Sequence, residues 1–154
     1  MTPENTQKLF EAFPQLYRGR FKPEEESMMS YGFNNCGDGW FDLLWKLSQA
    51  IEDTARTKGL EQHSNTWPEV LQVKQKLGGL RFYLKNASEA MWILIDQAVV
   101  IAEQTCEVCG ASVSGIGFTL LPVGTNGSAS IEHTQSITVQ STSQSALGST
   151  AAIH

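Results

Sequence analysis

The sequence predicts a small α+β domain in which two or three helices pack on a small antiparallel β-hairpin, followed by a zinc-knuckle-like cysteine turn and a low-complexity C-terminal tail. Three observations carry that expectation. Apolar residues recur at helical steps around Leu44 and again around Leu94, a stretch centred on Gly78-Gly79 alternates with period two, and the composition changes abruptly after Gly110. All eleven Lys and Arg lie at or before Lys85, and all but one of the sixteen acids lie at or before Glu107, so Glu132 is the one charged side chain of residues 111–154. Every aromatic except Phe118 also precedes the break. The chain therefore reads as a domain of residues 1–110 and a Ser/Thr/Gly-rich tail of residues 111–154, flexible or loosely β.

The first helix is marked by Thr2 as N-cap and Pro3 at the first helical position, with Leu9, Phe10 and Phe13 on one side and Pro14 as its stop. Residues 18–37 read as a long loop, in which Arg18, Arg20 and Lys22 run into Glu24-Glu25-Glu26. Asp38 is then placed to cap a helix whose stripe is Trp40, Leu43, Leu44, Leu47 and Ile51, widened by Phe41 and Trp45 and stopped at Lys58-Gly59.

Residues 66–85 admit two readings. Thr66-Trp67-Pro68-Glu69 has capping-box spacing and opens a possible helical stripe ending at Gly78. Alternatively, Gly78-Gly79 is a two-residue hairpin turn that pairs Leu77 with Leu80, Lys76 with Arg81 and Lys74 with Tyr83. The hairpin is preferred because it puts Val73, Gln75, Leu77, Leu80, Phe82 and Leu84 on one face, and Lys74, Lys76, Arg81, Tyr83 and Lys85 on the other. Asn86 to Glu89 again has capping-box spacing, followed by a helix through Met91, Leu94, Ala98 and Ala102 that is apolar nearly all round and should be central.

Several function classes are excluded at this level. The longest apolar stretch, Ala90 to Ala102, is broken by Asp96 and Gln97, short of the roughly 18–20 residues needed to cross a bilayer, so no membrane partner is expected. The first twenty residues carry Glu4, Lys8 and Glu11 and no apolar signal core, and an odd count of three cysteines fits a reducing compartment, so the expected location is cytoplasmic. A net charge of −5 argues against broad non-specific binding to nucleic acid, while leaving room for a local basic face. There is no phosphate loop, no serine nucleophile elbow and no His-Glu-x-x-His, and Asp38 beside Cys36 has no histidine near it in sequence, so no catalytic residue is assigned.

Three groups of residues are candidates for binding. Cys106 and Cys109, three positions apart and followed by Gly110, form half of a tetrahedral zinc site, with Cys36 and His133 as candidate further ligands and zinc as the implied cofactor of an incomplete site. A thioredoxin-like redox pair fits less well, since these cysteines follow a helix rather than open one. The hairpin face of Lys74, Lys76, Arg81, Tyr83 and Lys85 can engage a partner or single-stranded nucleic acid, or be neutralised by Glu24, Glu25 and Glu26. The aromatics Trp40, Phe41, Trp45 and Trp67 can extend into an interface.

The blocks Cys36-Gly37-Asp38-Gly39-Trp40-Phe41, Val73-Lys74-Gln75-Lys76-Leu77-Gly78-Gly79-Leu80-Arg81-Phe82-Tyr83 and Thr105-Cys106-Glu107-Val108-Cys109-Gly110 together resemble a family of small uncharacterised proteins of phages and prophages, over roughly residues 8 to 110. The resemblance implies a bacterial cytoplasm as setting, no established reaction, and a short basic stretch with a second Cys or Cys/His pair after the first. This chain departs from it after Gly110, as a change of reading frame or a junction with unrelated sequence would produce. The resulting expectation is a non-enzymatic accessory protein that binds a host macromolecule, a protein rather than nucleic acid, and inhibits a host defence system. A zinc-stabilised nucleic-acid-binding module is the alternative.

Overall fold

A computed structural model describes residues 1–113 and 119–121. Among them are three α-helices, α1 (Pro3–Ala12), α2 (Phe41–Thr57) and α3 (Glu89–Glu103), and three strands, β1 (Phe33–Asn34), β2 (Glu69–Lys76) and β3 (Gly79–Lys85). The coarse expectation is met, an α+β arrangement in the order helix, helix, hairpin, helix. The strands form one sheet in the order β1-β2-β3, with β1 parallel to β2 and β2 antiparallel to β3. Helix α3 packs against both β3 and α2.

The helices begin and end where local chemistry puts them. Thr2 caps α1 by accepting the Asn5 N–H at 3.3 Å, and Pro3 occupies the first turn. The α2 stripe of Leu43, Leu44, Leu47 and Ile51 is fully buried, and the helix gives way at Lys58 and a left-handed Gly59 (φ 70°). The N-cap of α3 is Ser88 and not Asn86. Asn86 instead takes a left-handed conformation (φ 58°) in the turn after β3, and its Nδ2 donates to the carbonyls of Asn65 and Trp67. Helix α3 is less central than expected. Met91, Leu94, Ile95 and Ala98 face the core, whereas Trp92 and Val100 on its outer side are about half exposed.

The hairpin forms with its turn one residue earlier than expected. The central residues are Leu77 and Gly78, both left-handed (φ 53° and 79°), and Lys76 pairs with Gly79, Gln75 with Leu80, Lys74 with Arg81 and Val73 with Phe82. Two consecutive left-handed residues make the mirror-image turn that matches the twist of paired strands. Relative to the expected register, partners shift by two residues, and because side chains alternate with period two the faces survive. Val73, Leu80, Phe82 and Leu84 point into the core, while Leu77 leaves the apolar face and lies 93% exposed in the turn.

Residues 18–37, expected as a loop, are held by partners far along the chain. Val70 N–H donates to Leu16 O at 2.8 Å, Ser27 Oγ to Leu71 O at 3.3 Å, and β1 pairs with Val73 and Lys74, so this segment runs along the edge of β2 that β3 leaves open. Such an edge is otherwise a template for unwanted pairing. Two 3-10 turns, Arg18–Phe21 and Met28–Tyr31, shape the run. Arg18 donates to the carbonyls of Gln15, Trp67 and Pro68, and Arg18 and Lys22 both meet the buried carboxylate of Glu69, at 3.1 and 2.7 Å. Arg18 and Lys22 therefore serve Glu69, Arg20 donates to Phe10 O and stacks on Phe10 and Phe21, and the acids Glu24, Glu25 and Glu26 lie exposed.

Packing continues past Gly110. Thr105 pairs with Ser112, Val113 N–H donates to Gln104 O, Leu121 N–H donates to Gln97 Oε1, and Leu120 joins the core, within a compact unit spanning Met1–Gly124. The rest of the expected tail lies outside the described residues, including the strand-like stretch at Ser136–Val139 and the candidate ligand His133. No helix among the described residues is long and apolar enough to cross a membrane.

Candidate functional site

The cysteine turn follows α3 directly. Gly110 N–H donates to Cys106 O at 2.8 Å and Cys106 N–H to Ala111 O at 2.9 Å, which closes residues 106–110 into a tight loop with Gly110 left-handed (φ 75°). Both thiols are exposed. The Cys106 thiol is held below its ordinary value, first by the nearby backbone N–H of Cys109, then by that of Val108 and by the Cys109 side chain.

This loop is seated on the Cys36-Gly37-Asp38-Gly39-Trp40 segment. Gly39 N–H donates to Glu107 O at 2.7 Å, and Trp40 Nε1–H to Thr105 O at 3.1 Å. Both glycines are required by contact. A Cβ on Gly37 would overlap Glu107 O, and one on Gly39 would overlap Cys106 O and Gly110 N. Asp38, expected to cap the helix after it, instead reaches back to α1, where its Oδ1 accepts from Thr2 N (2.8 Å), Thr2 Oγ1 (3.1 Å) and Asn5 Nδ2 (3.1 Å). The backbone N–H of Thr2 and these side-chain donors hold its carboxyl below the usual range.

The candidate ligand Cys36 does not join the pair. It is buried, its sulfur faces the Gln75 backbone N–H, and burial pushes its thiol up to about 11. Among the described residues no group of three or more His, Cys, Asp or Glu side chains can hold a metal ion. Cys106 and Cys109 would make two of the four ligands that a structural zinc needs, and the described residues hold no group of three or more to complete such a set.

The outer face of the hairpin carries the second candidate group as expected. Lys74 stands directly across from Arg81, Lys76 and Lys85 are exposed, and Lys74 Nζ lies 5.6 Å from the centre of the Tyr83 ring. Among the described residues, no carboxylate lies within 4.0 Å of Lys74, Lys76, Arg81 or Lys85. The anticipated neutralisation by Glu24, Glu25 and Glu26 does not occur among them.

The aromatics separate into two pairs. Trp40 and Trp67 are core residues, 1% and 0% exposed, and offer no interface surface. Trp40 heads the expected apolar stripe and is buried with it, whereas Trp67, which precedes β2, is buried by tertiary contacts. Phe41 and Trp45 are half-buried, packed ring to ring at 5.7 Å, and line an open groove of about 640 Å³ with Lys8, Glu11, Ala12 and Asp42. The groove joins α1 to α2, a juxtaposition without a signal in the sequence. No family model, curated protein or solved structure matches the chain.

Proposed function

We propose that the chain is a non-enzymatic accessory protein of phage type that binds a host macromolecule through the outer face of its hairpin, the partner being a host protein with an acidic surface and the consequence inhibition of a defence component. The observation that carries the binding surface is the cationic strip of Lys74, Lys76, Arg81 and Lys85, which has no carboxylate partner among the described residues. Like charges placed directly opposite, as Lys74 and Arg81 are, cost stability, so the strip is poorly explained as a stabilising feature. Its charge is opposite to the net −5 of the chain and would steer an acidic surface to this face alone. The phage setting rests on the three sequence blocks.

Capture from bacterial lysate at native concentration tests the reading. Wild type is expected to retain a protein partner, and the Lys74→Gln/Arg81→Gln variant to bind it on the order of tenfold more weakly. Recovery of no protein, or equal recovery by the variant, would overturn it. A second reading, single-stranded nucleic acid, is favoured by the 46% exposed Tyr83 ring beside Lys74, a stacking surface flanked by charge. It predicts salt-dependent binding of a labelled oligonucleotide that Tyr83→Ala weakens.

A further inference from the structure

We propose that the groove between α1 and α2 is a binding site for an arginine side chain presented by a basic peptide. Its walls follow from helical spacing. Lys8, Glu11 and Ala12 stand on the last turns of α1, and Phe41, Asp42 and Trp45 on the first turns of α2, around an open volume of about 640 Å³. Helix α1 is held in place at both ends. Asp38, just ahead of α2, accepts from Thr2 N, Thr2 Oγ1 and Asn5 Nδ2 at 2.8, 3.1 and 3.1 Å, and Phe13, just past α1, packs edge-on against Trp45 with ring centres 5.2 Å apart. The groove therefore exists before a ligand arrives, and a preformed site loses less on binding.

The lining selects the chemistry of the ligand. Phe41 and Trp45 are half-buried, with ring planes inclined at 47°, so they offer aromatic surface to the groove without filling it. Aromatic faces attract cations, and the planar guanidinium of arginine both stacks on a ring and donates in a fork to a carboxylate. The charges agree with this. Lys8 is paired with Glu4 at 3.0 Å, whereas Glu11 and Asp42 are exposed and meet no cation within 4.0 Å among the described residues. Glu11 Oε1 accepts the Gln7 amide at 2.7 Å, which steadies its carboxyl. An anionic ligand would be repelled by the two carboxylates, and an apolar one would cover them without giving them a partner. A guanidinium answers the aromatic and the acidic features together.

The test titrates the peptide Gly-Arg-Gly-Arg-Gly into the full chain and follows the four tryptophan indole N–H signals by NMR, with that of Trp45 assigned from Trp45→Phe. The expected result is a saturable shift of the Trp45 signal, while the buried Trp40 and Trp67 stay in place and the 45% exposed Trp92 of α3, a control for non-specific contact, does not move. The same peptide with Lys for Arg should bind several-fold more weakly, because an ammonium has no planar fork, and with Gln it should not bind. Glu11→Gln/Asp42→Asn should weaken binding on the order of tenfold, with the indole signals of the free chain unchanged as evidence that the fold is intact. No saturable shift at Trp45, an equal shift at Trp92, or undiminished binding by the double variant would overturn the proposal. So would sedimentation of the free chain as a dimer whose Trp45 signal ignores the peptide, which would give the groove to a second copy. None of the groove residues lies on the hairpin, so each result stands apart from the test of the hairpin reading.

Discussion

Leu77 holds a left-handed backbone conformation that suits glycine or asparagine, with its side chain 93% exposed. It carries the steric cost of that conformation, on the order of 1 kcal/mol, and recovers almost nothing by burial. Leu77→Asn keeps the turn and removes most of the strain. Its denaturant midpoint should rise by an amount equivalent to about 0.5–1 kcal/mol with the slope unchanged. The same residue shows where sequence reasoning stops. Alternation sorted Val73, Leu80 and Phe82 from Lys74, Arg81 and Tyr83 correctly, because a two-residue shift of register leaves parity intact. It also put Leu77 with the core, because an apolar letter next to two glycines does not say which pair of residues makes the turn.

Among the elements, the contact between the Gly37–Gly39 segment and the cysteine turn is the most sensitive to a single atom. Gly39→Ala would force its Cβ into Cys106 O and Gly110 N, both backbone atoms that have no rotamer to give way. A loss of about 1–3 kcal/mol is expected, together with faster alkylation of Cys106 as the turn loosens. A Gly59→Ala change strains φ but meets nothing within 4 Å, which makes it a control for the loss of a glycine as such. Helix α2 was legible because its stripe of Leu43, Leu44, Leu47 and Ile51 is a local period. Residues 18–37 were not, because Arg18 and Lys22 find Glu69, Ser27 finds Leu71 and Phe33 finds Val73, and separations of that kind leave no periodic trace. For the candidate site, the Cys-x-x-Cys spacing and the basic hairpin face were readable. The destination of Asp38 was not, because the donors it serves belong to the previous helix.

For the molecule as a whole, two carboxylates shape stability against pH in opposite directions. Asp38 ionises more readily when folded, because Thr2 N–H and its companions bind the anion. Its contribution is present above the ordinary carboxylate value and is lost as pH falls through the lower folded value. Glu52 is 2% exposed, and burial raises its pKa in spite of Arg56 at 2.6 Å. Its Oε1 is buried without a hydrogen-bond partner, as is the Trp67 indole N–H. The folded state therefore holds a proton on Glu52 that the unfolded chain releases, and stability falls as pH rises from the ordinary glutamate value through the raised one. Thermal midpoints across that interval should decline in wild type and flatten in Glu52→Gln, while Asp38→Asn should change the acid limb below it.

The cap that Asp38 places on α1 has a consequence for the order in which the chain is secured during synthesis. Helix α1 is made before α2 and α3, yet the carboxylate that binds its first turn lies 36 residues further on. The segment bearing that carboxylate is in turn fixed by the carbonyls of Thr105 and Glu107, the former 65 residues beyond Trp40. Closures over such spans come late, since loop entropy is lost before the contact is gained. The earliest of the three described helices thus has its N-terminal cap completed only by contacts that the chain reaches at the cysteine turn.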